Sequence, residues 1–278
     1  MSLTSPSRTG NVAGVEFSRE LIRRSGYDRT GFAAHYDDFR PQAPQVLIDA
    51  LCREARVDQA KLVVDLGAGT GLSTRVWADR ADRVVGVEPN PAMIEEARAR
   101  TSEPNVEYVH AFSHETGLAD TSADVVTCSQ SLHWMEPQPT FAEAARILRD
   151  GGVFAAYDYD TVPVVDPEVE QAWDAYGARR RALRERQGIE AGADRWLKRE
   201  HLTRLRESGL FRFCREFVLH VEIVGGAEEI IGFVGSLGML RGLEQELHTH
   251  ELEEVARRVL GERKVPLIFG YRVRIGVK

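Results

Sequence analysis

Five short runs of apolar, largely β-branched residues recur between Lys61 and Asp158, and helix-spaced segments separate them. The runs are "KLVVDLG" (Lys61 to Gly67), "DRVVGVE" (Asp82 to Glu88), "NVEYVH" (Asn105 to His110), "ADVVTCS" (Ala123 to Ser129) and "GGVFAAYD" (Gly151 to Asp158). Near-continuous apolar runs of this length, bounded by turn residues, read as strands buried on both faces. Strand, helix, strand in alternation implies a parallel sheet wound by right-handed crossovers. Two later runs, "FRFCREFVLHVEIV" (Phe211 to Val224) and "VPLIFGYRVRIGV" (Val265 to Val277), add a closing hairpin interrupted by a helical segment from about Ala227 to Gly261. The expected fold is α/β, doubly wound, with a mostly parallel seven-stranded sheet and a helical insertion or cap.

Helix boundaries are visible between the runs. "NPAMIEEARAR" offers Asn90 as N-cap with Pro91 in the first turn, where a missing N–H costs nothing. "TFAEAARILRDGG" offers Thr140 and Glu143 at capping-box spacing, with Gly151 as a left-handed stop. The organisation expected is a disordered leader over 1–26, a helical lid over 27–60, a ligand-binding core over 61–160, a helical insertion over 161–202 carrying "AYGARRRALRERQ", and completion of the sheet over 203–278.

With 43% hydrophobic and 28% charged residues, no signal-peptide pattern and no long uncharged apolar run, the chain reads as soluble and cytoplasmic. A net charge of -7 provides no electrostatic footprint for nucleic acid or an anionic membrane, so the expected partner is a small molecule. Cys52, Cys128 and Cys214 are too scattered for a disulfide framework or zinc ribbon, and "HTH" (His248, His250) lacks ligand partners at zinc spacing. No metal is expected, and no pattern reports an oligomeric state.

The first strand runs into "VVDLGAGTGLST", which places Gly67, Gly69 and Gly71 between a strand and a helix. In an open α/β sheet ligands bind there, and glycines let the backbone approach them closely. Leu72 stands where a dinucleotide fingerprint needs its third glycine, and Asp65 sits at a strand end that such sites keep apolar, which disfavours nicotinamide. Glu88 ends the second strand about twenty residues on, the spacing at which a carboxylate accepts ribose hydroxyls. A nucleoside is implied.

On "VVDLGAGTG", "VVGVEPNPAM", "ADTSADVVTCSQSLHW" and "EAARILRDGGVF", with the leader "FAAHYDDFRPQAP" upstream, the chain resembles the class I S-adenosylmethionine-dependent methyltransferases. The resemblance is to their small-molecule group, which includes ubiquinone-biosynthesis and trans-aconitate-type enzymes. It is good from Phe32 to Tyr157 and implies a Rossmann-like core with S-adenosylmethionine as cofactor and S-adenosylhomocysteine as product. It further implies that Gly67, Ala68, Gly69, Thr70 and Gly71 run along the methionine half of the cofactor, that Asp65 orients its ammonium, and that Glu88 takes the ribose. Pro89 and Met93 would pack on adenine. Ser113 and His114 fall where the family places a small residue and an acid that reads the adenine amino group. Because a histidine replaces that acid, a backbone contact from Phe112 or Ser113 would serve instead. Ser129 and Gln130 would meet the cofactor's amino-acid end.

Leu132, His133 and Trp134 then lie just beyond the methyl donor. If the acceptor is a hydroxyl, His133 is the candidate base, since its pKa lies near working pH. If it is a carboxylate no base is needed, His133 would only position the substrate, and an insertion arginine such as Arg180 or Arg184 could clamp the acid, although a solvated helix face is the plainer reading of that run. Tyr36, Trp134, Tyr157 and Asp158 are the expected substrate contacts. Oxygen is the favoured methyl acceptor in a small molecule; the alternative is a non-catalytic cofactor-binding regulatory or partner protein.

Overall fold

The computed structural model describes residues 32–186, 196–237 and 249–278. The leader over 1–26 and His248 lie outside the described residues. Two helices, α1 (Phe32–Phe39) and α2 (Gln45–Ala55), precede the sheet. Then follow β1 (Ala60–Leu66), α3 (Leu72–Arg75), β2 (Ala81–Glu88), α4 (Pro91–Arg100), β3 (Val106–His110), β4 (Ala123–Ser129), α5 (Pro137–Ile147) and β5 (Leu148–Tyr159). The chain continues through α6 (Pro167–Arg186), α7 (His201–Glu207), β6 (Phe213–Gly225), α8 (Ala227–Ser236), α9 (His250–Leu260) and β7 (Val265–Val277).

The seven strands are ordered β3-β2-β1-β4-β5-β7-β6. The first five are parallel, and β7 runs antiparallel to both β5 and β6. Alternation along each strand serves two cores. Val63, Val84 and Val125 face one side with Leu47, Leu51 and Trp77; Leu62, Val64, Val85 and Val126 face the other with Phe141, Phe154 and Phe211. Fully burying each such side chain contributes about 1.5–3 kcal/mol, which is why the central strands carry almost no polar residue in mid-run. β3 departs from the expectation of two buried faces. It is a sheet edge, and of its five residues only Tyr108 is buried.

Two boundary expectations also shift. Asn90 caps α4 as expected, its Oδ1 accepting from Ala92 N–H at 3.0 Å. Thr140 and Glu143 form no capping box, because Pro137 starts α5 one turn earlier with its φ already helical. Both side chains serve the loop before β4 instead: Thr140 Oγ1 bonds Ser113 Oγ at 2.9 Å, and Glu143 accepts from the Thr116 N–H and hydroxyl. Gly151 does hold φ +76, but inside β5, where Leu148 has already paired with Ala123.

The arginine-rich segment forms α6, which buries Val169, Trp173, Tyr176 and Leu183 and leaves Arg179 to pair with Glu251 at 2.5 Å. Among the described residues no helix is long and apolar enough to cross a membrane.

Helix α1 closes over the ligand end of the sheet and rests on α8. A Cβ on Gly232 would fall 2.1 Å from Phe39 Cδ1, so this approach requires glycine. Gly232→Ala improves helix propensity within α8 while displacing Phe39. The expected outcome in limited proteolysis is cleavage within residues 32–44 at least about fivefold faster, as overpacking of 1–3 kcal/mol implies; an unchanged cleavage rate contradicts this packing.

Candidate active site

Chain order reverses between β1 and β4, which opens a crevice beyond their C-terminal ends. A cavity of about 330 Å³ occupies it, within the size range of small-ligand sites.

The glycine loop forms its floor. Gly67 and Ala68 N–H both donate to Val87 O, at 2.8 and 3.1 Å, so the loop is wrapped against β2. Gly67 and Gly69 hold φ +70 and +57, where glycine carries no Cβ penalty. At Gly69 a Cβ would meet nothing within 4 Å, so the loop leaves open space beside its backbone.

Glu88 forms one end of the cavity. Its Oε2 accepts from Gly69 N–H at 3.0 Å and its Oε1 from Asn90 N–H at 2.9 Å. Burial raises its pKa to about 7, against the opposing pull of those two donors. A carboxylate has about four lone-pair sites, so two remain for hydroxyls. Beside it Asn90 also lines the cavity, and its Nδ2 is buried with no hydrogen-bond partner among the described residues. Pro89, Met93, Phe112, Ser113 and His114 complete this end, the Phe112 and His114 rings stacked at 5.7 Å.

Ser129 and Gln130 line the cavity too, as do Tyr36, Arg40, Trp134 and Tyr159. Arg40 NH1 donates to Tyr159 Oη at 2.8 Å and NH2 to Ser236 O at 2.8 Å, and its guanidinium carbon lies 4.6 Å from the centroid of the Tyr36 ring. The leader is tied to the glycine loop through Asp37, which accepts from Thr70 Oγ1 at 2.7 Å and from Arg75 NH2 at 2.9 Å.

Fourteen of the residues singled out in the sequence line this cavity: Tyr36, Gly67, Ala68, Gly69, Thr70, Glu88, Pro89, Met93, Phe112, Ser113, His114, Ser129, Gln130 and Trp134. Five do not. Asp65 is buried beneath the loop, where its two oxygens accept from Thr74 and Thr127 hydroxyls at 2.8 Å each, joining α3 and β4 to β1. Gly71 turns the chain into α3 with φ +79. Tyr157 is buried with its hydroxyl on Ser73 Oγ, so it supports the wall from behind. Asp158 is held between Arg274 at 2.7 Å and Lys198 at 2.8 Å. His133 is buried beside Trp134, ring centroids 5.2 Å apart, and it is Trp134 that faces the cavity.

Arg180 does not line the cavity, and the Arg184 side chain lies outside the described residues. Arg40, Asn90 and Tyr159 were missed as site residues. Arg40 stood in the quoted leader, and Tyr159 lies two residues beyond Tyr157 on the same face of β5. Among the described residues no cluster of three His, Cys, Asp or Glu side chains could hold a metal.

Residues 64–156 match the family model of a methyltransferase domain. A Saccharomyces cerevisiae protein named as a probable S-adenosylmethionine-dependent methyltransferase is 30% identical over 151 residues, 52% of this chain and 52% of that one. A malonyl-[acyl-carrier protein] O-methyltransferase of Marinomonas is 28% identical over 172 residues, 59% of this chain and 60% of that one. A solved structure from Anaeromyxobacter dehalogenans, provisionally assigned as a type II methyltransferase, superposes with a TM-score of 0.63 at 26% identity over 86% of this chain and 98% of that one. The chain spans about half the length of the first curated relatives it matches. Residues 64–156 thus match a methyltransferase domain, and sheet order and these matches make the chain similar to the class I S-adenosylmethionine-dependent methyltransferases.

The cavity suits that family's cofactor on its own atoms: a buried acid with spare acceptor sites, an orphan amide donor beside it, and open space along a glycine loop.

Burial raises the Asp65 pKa from 3.8 to about 6. Between about pH 4 and 6 the native state therefore keeps a proton that the unfolded chain has lost, and this group's contribution declines as pH rises, by about 3 kcal/mol in total. Asp65→Asn removes that titration. In denaturant unfolding from pH 4 to 8, the variant is expected to gain on the parent across this window and to hold the gain above it; parallel curves contradict the assignment.

Proposed function

We propose that the chain transfers a methyl group from S-adenosylmethionine to an oxygen of a small molecule, with a carboxylate as the favoured acceptor. The observation that carries this reading is the polarity of one cavity: a ribose-type acid at Glu88, a glycine floor, and a guanidinium set among aromatic rings at Arg40.

Glu88 would accept the ribose hydroxyls and Asn90 would donate beside it. Pro89, Met93 and Phe112 would flank the base, with Ser113 and His114 at its edge, and Gly67 to Thr70 with Ser129 and Gln130 would run along the amino-acid portion. When bound, the cofactor supplies a methyl group on a sulfonium, already activated toward a nucleophile. The protein's task is then alignment and exclusion of water, and orientation can lower a barrier by about 7–11 kcal/mol in favourable cases.

Tyr36, which already carries the Arg40 guanidinium, and Trp134 line the cavity, and aromatic faces attract cations by about 0.5–2 kcal/mol. The burial of His133 behind Trp134 supports a carboxylate over a hydroxyl, since a carboxylate needs no base. Arg40 takes the clamping part first looked for in the insertion: its fork matches a carboxylate, and its plane is already oriented by Tyr159, Ser236 and Tyr36. The name of the Marinomonas relative, an O-methyltransferase, agrees with oxygen as the acceptor.

An acceptor panel of small carboxylic acids, phenols and amines, scored by S-adenosylhomocysteine release, tests the reading. Turnover is expected with at least one acid, and Arg40→Gln is expected to lower kcat/KM for it about 10–100-fold, as loss of charged hydrogen bonds implies. Binding of S-adenosylhomocysteine without turnover of any acceptor would move the chain to a non-catalytic cofactor-binding role.

A further inference from the structure

Gln130 is one of three described non-glycine residues with positive φ, at +51, and the one that lines the cavity. Backbone strain of this kind persists only where the surroundings impose it. Its N–H donates to Tyr157 O at 2.9 Å, and its side-chain Nε2 reaches Tyr159 O at 3.3 Å. Its Oε1 accepts from Lys198 Nζ at 2.5 Å. An ammonium has donors only, so it selects the amide oxygen and turns the amide NH₂ toward Tyr159.

Lys198 is itself fixed. It pairs with Asp158 Oδ1 at 2.8 Å, while the other Asp158 oxygen takes Arg274 NH1 at 2.7 Å, and Arg274 is buried against Glu216. Two residues before it in the chain, Trp196 N–H donates to His133 O at 2.8 Å, so two bonds dock this segment against the turn that follows β4.

We propose that Lys198 is a positioning residue for the cavity: it holds Gln130 in its left-handed conformation with a defined amide orientation, and through it shapes the boundary between cofactor and acceptor. The contacts Lys198–Gln130–Tyr159–Arg40 join four stretches of chain that are far apart in sequence. This inference rests on the cofactor reading given above.

The test is calorimetric binding of S-adenosylhomocysteine, with the thermal midpoint measured on the same samples. Lys198→Met is expected to weaken binding about tenfold with a midpoint within a few degrees of the parent, and Lys198→Arg to restore affinity to within about twofold, since it keeps a cationic donor. Glycine needs no support at φ +51. In a Gln130→Gly background, Lys198→Met should therefore change affinity less than about twofold, the non-additivity expected of a coupled pair. A parent that binds alongside an equally tight Lys198→Met, or additive effects in the double variant, overturns the inference alone. A parent that does not bind overturns the cofactor reading and this inference together.

Discussion

A buried carboxylate bonded by two backbone N–H groups holds the ligand end of this molecule together. Glu88 takes one donor from the glycine loop and one from the start of α4, so three segments converge on two oxygen atoms. The loop can reach it because Gly67 and Ala68 both return to Val87 O, one residue before the acid. Without positive φ at Gly67 and Gly69 the chain leaving β1 could not fold back in this way. The parallel sheet contributes the rest: its faces are filled by helices, and the reversal of strand order leaves an open crevice at its C-terminal edge.

Part of the cavity lining is assembled differently, from pieces that arrive from outside the sheet core. Asp37 in α1 is almost fully buried and joined to Thr70 and Arg75, while Arg40 crosses to Tyr159 and Ser236. Removing one partner of such a buried pair typically costs about 3–5 kcal/mol, although the pair itself contributes little net stability. Its physical effect is registry, since it sets where the leader crosses the glycine loop and hence where the Arg40 guanidinium sits. Docking of Trp196 and Lys198 adds a third piece on the other side of Gln130.

Much of this architecture was legible in the residues, and the reason is periodicity. Central strands must be apolar on both faces, so "KLVVDLG" and "ADVVTCS" announced themselves, as did the glycines and Glu88 at a spacing the crevice imposes. Asp65, Tyr157 and Asp158 sit at strand ends like Glu88 and Ser129, yet the tertiary structure turns them toward Thr74, Ser73 and Arg274. Sequence places a residue at a strand's end but does not say which neighbour will cover it. Helix α5 shows the same limit, since Pro137 set its start and freed Thr140 and Glu143 for the preceding loop. Arg40 and Lys198 were obscure for a further reason. Each acts across a long separation in sequence, with no periodic pattern linking it to the strands it meets.

The central claim is that Glu88, ionised, is the anchor of the cofactor site. It is tested most directly by titrating S-adenosylhomocysteine into the parent and Glu88→Ala from pH 6 to 8. Because burial places its pKa at about 7 and only the carboxylate accepts from both ribose hydroxyls, parent affinity should rise through pH 7. The variant should bind at least about tenfold more weakly, as loss of hydrogen bonds to a charged group implies, and should lose that rise. A variant that binds as tightly as the parent with the same pH profile would contradict the account.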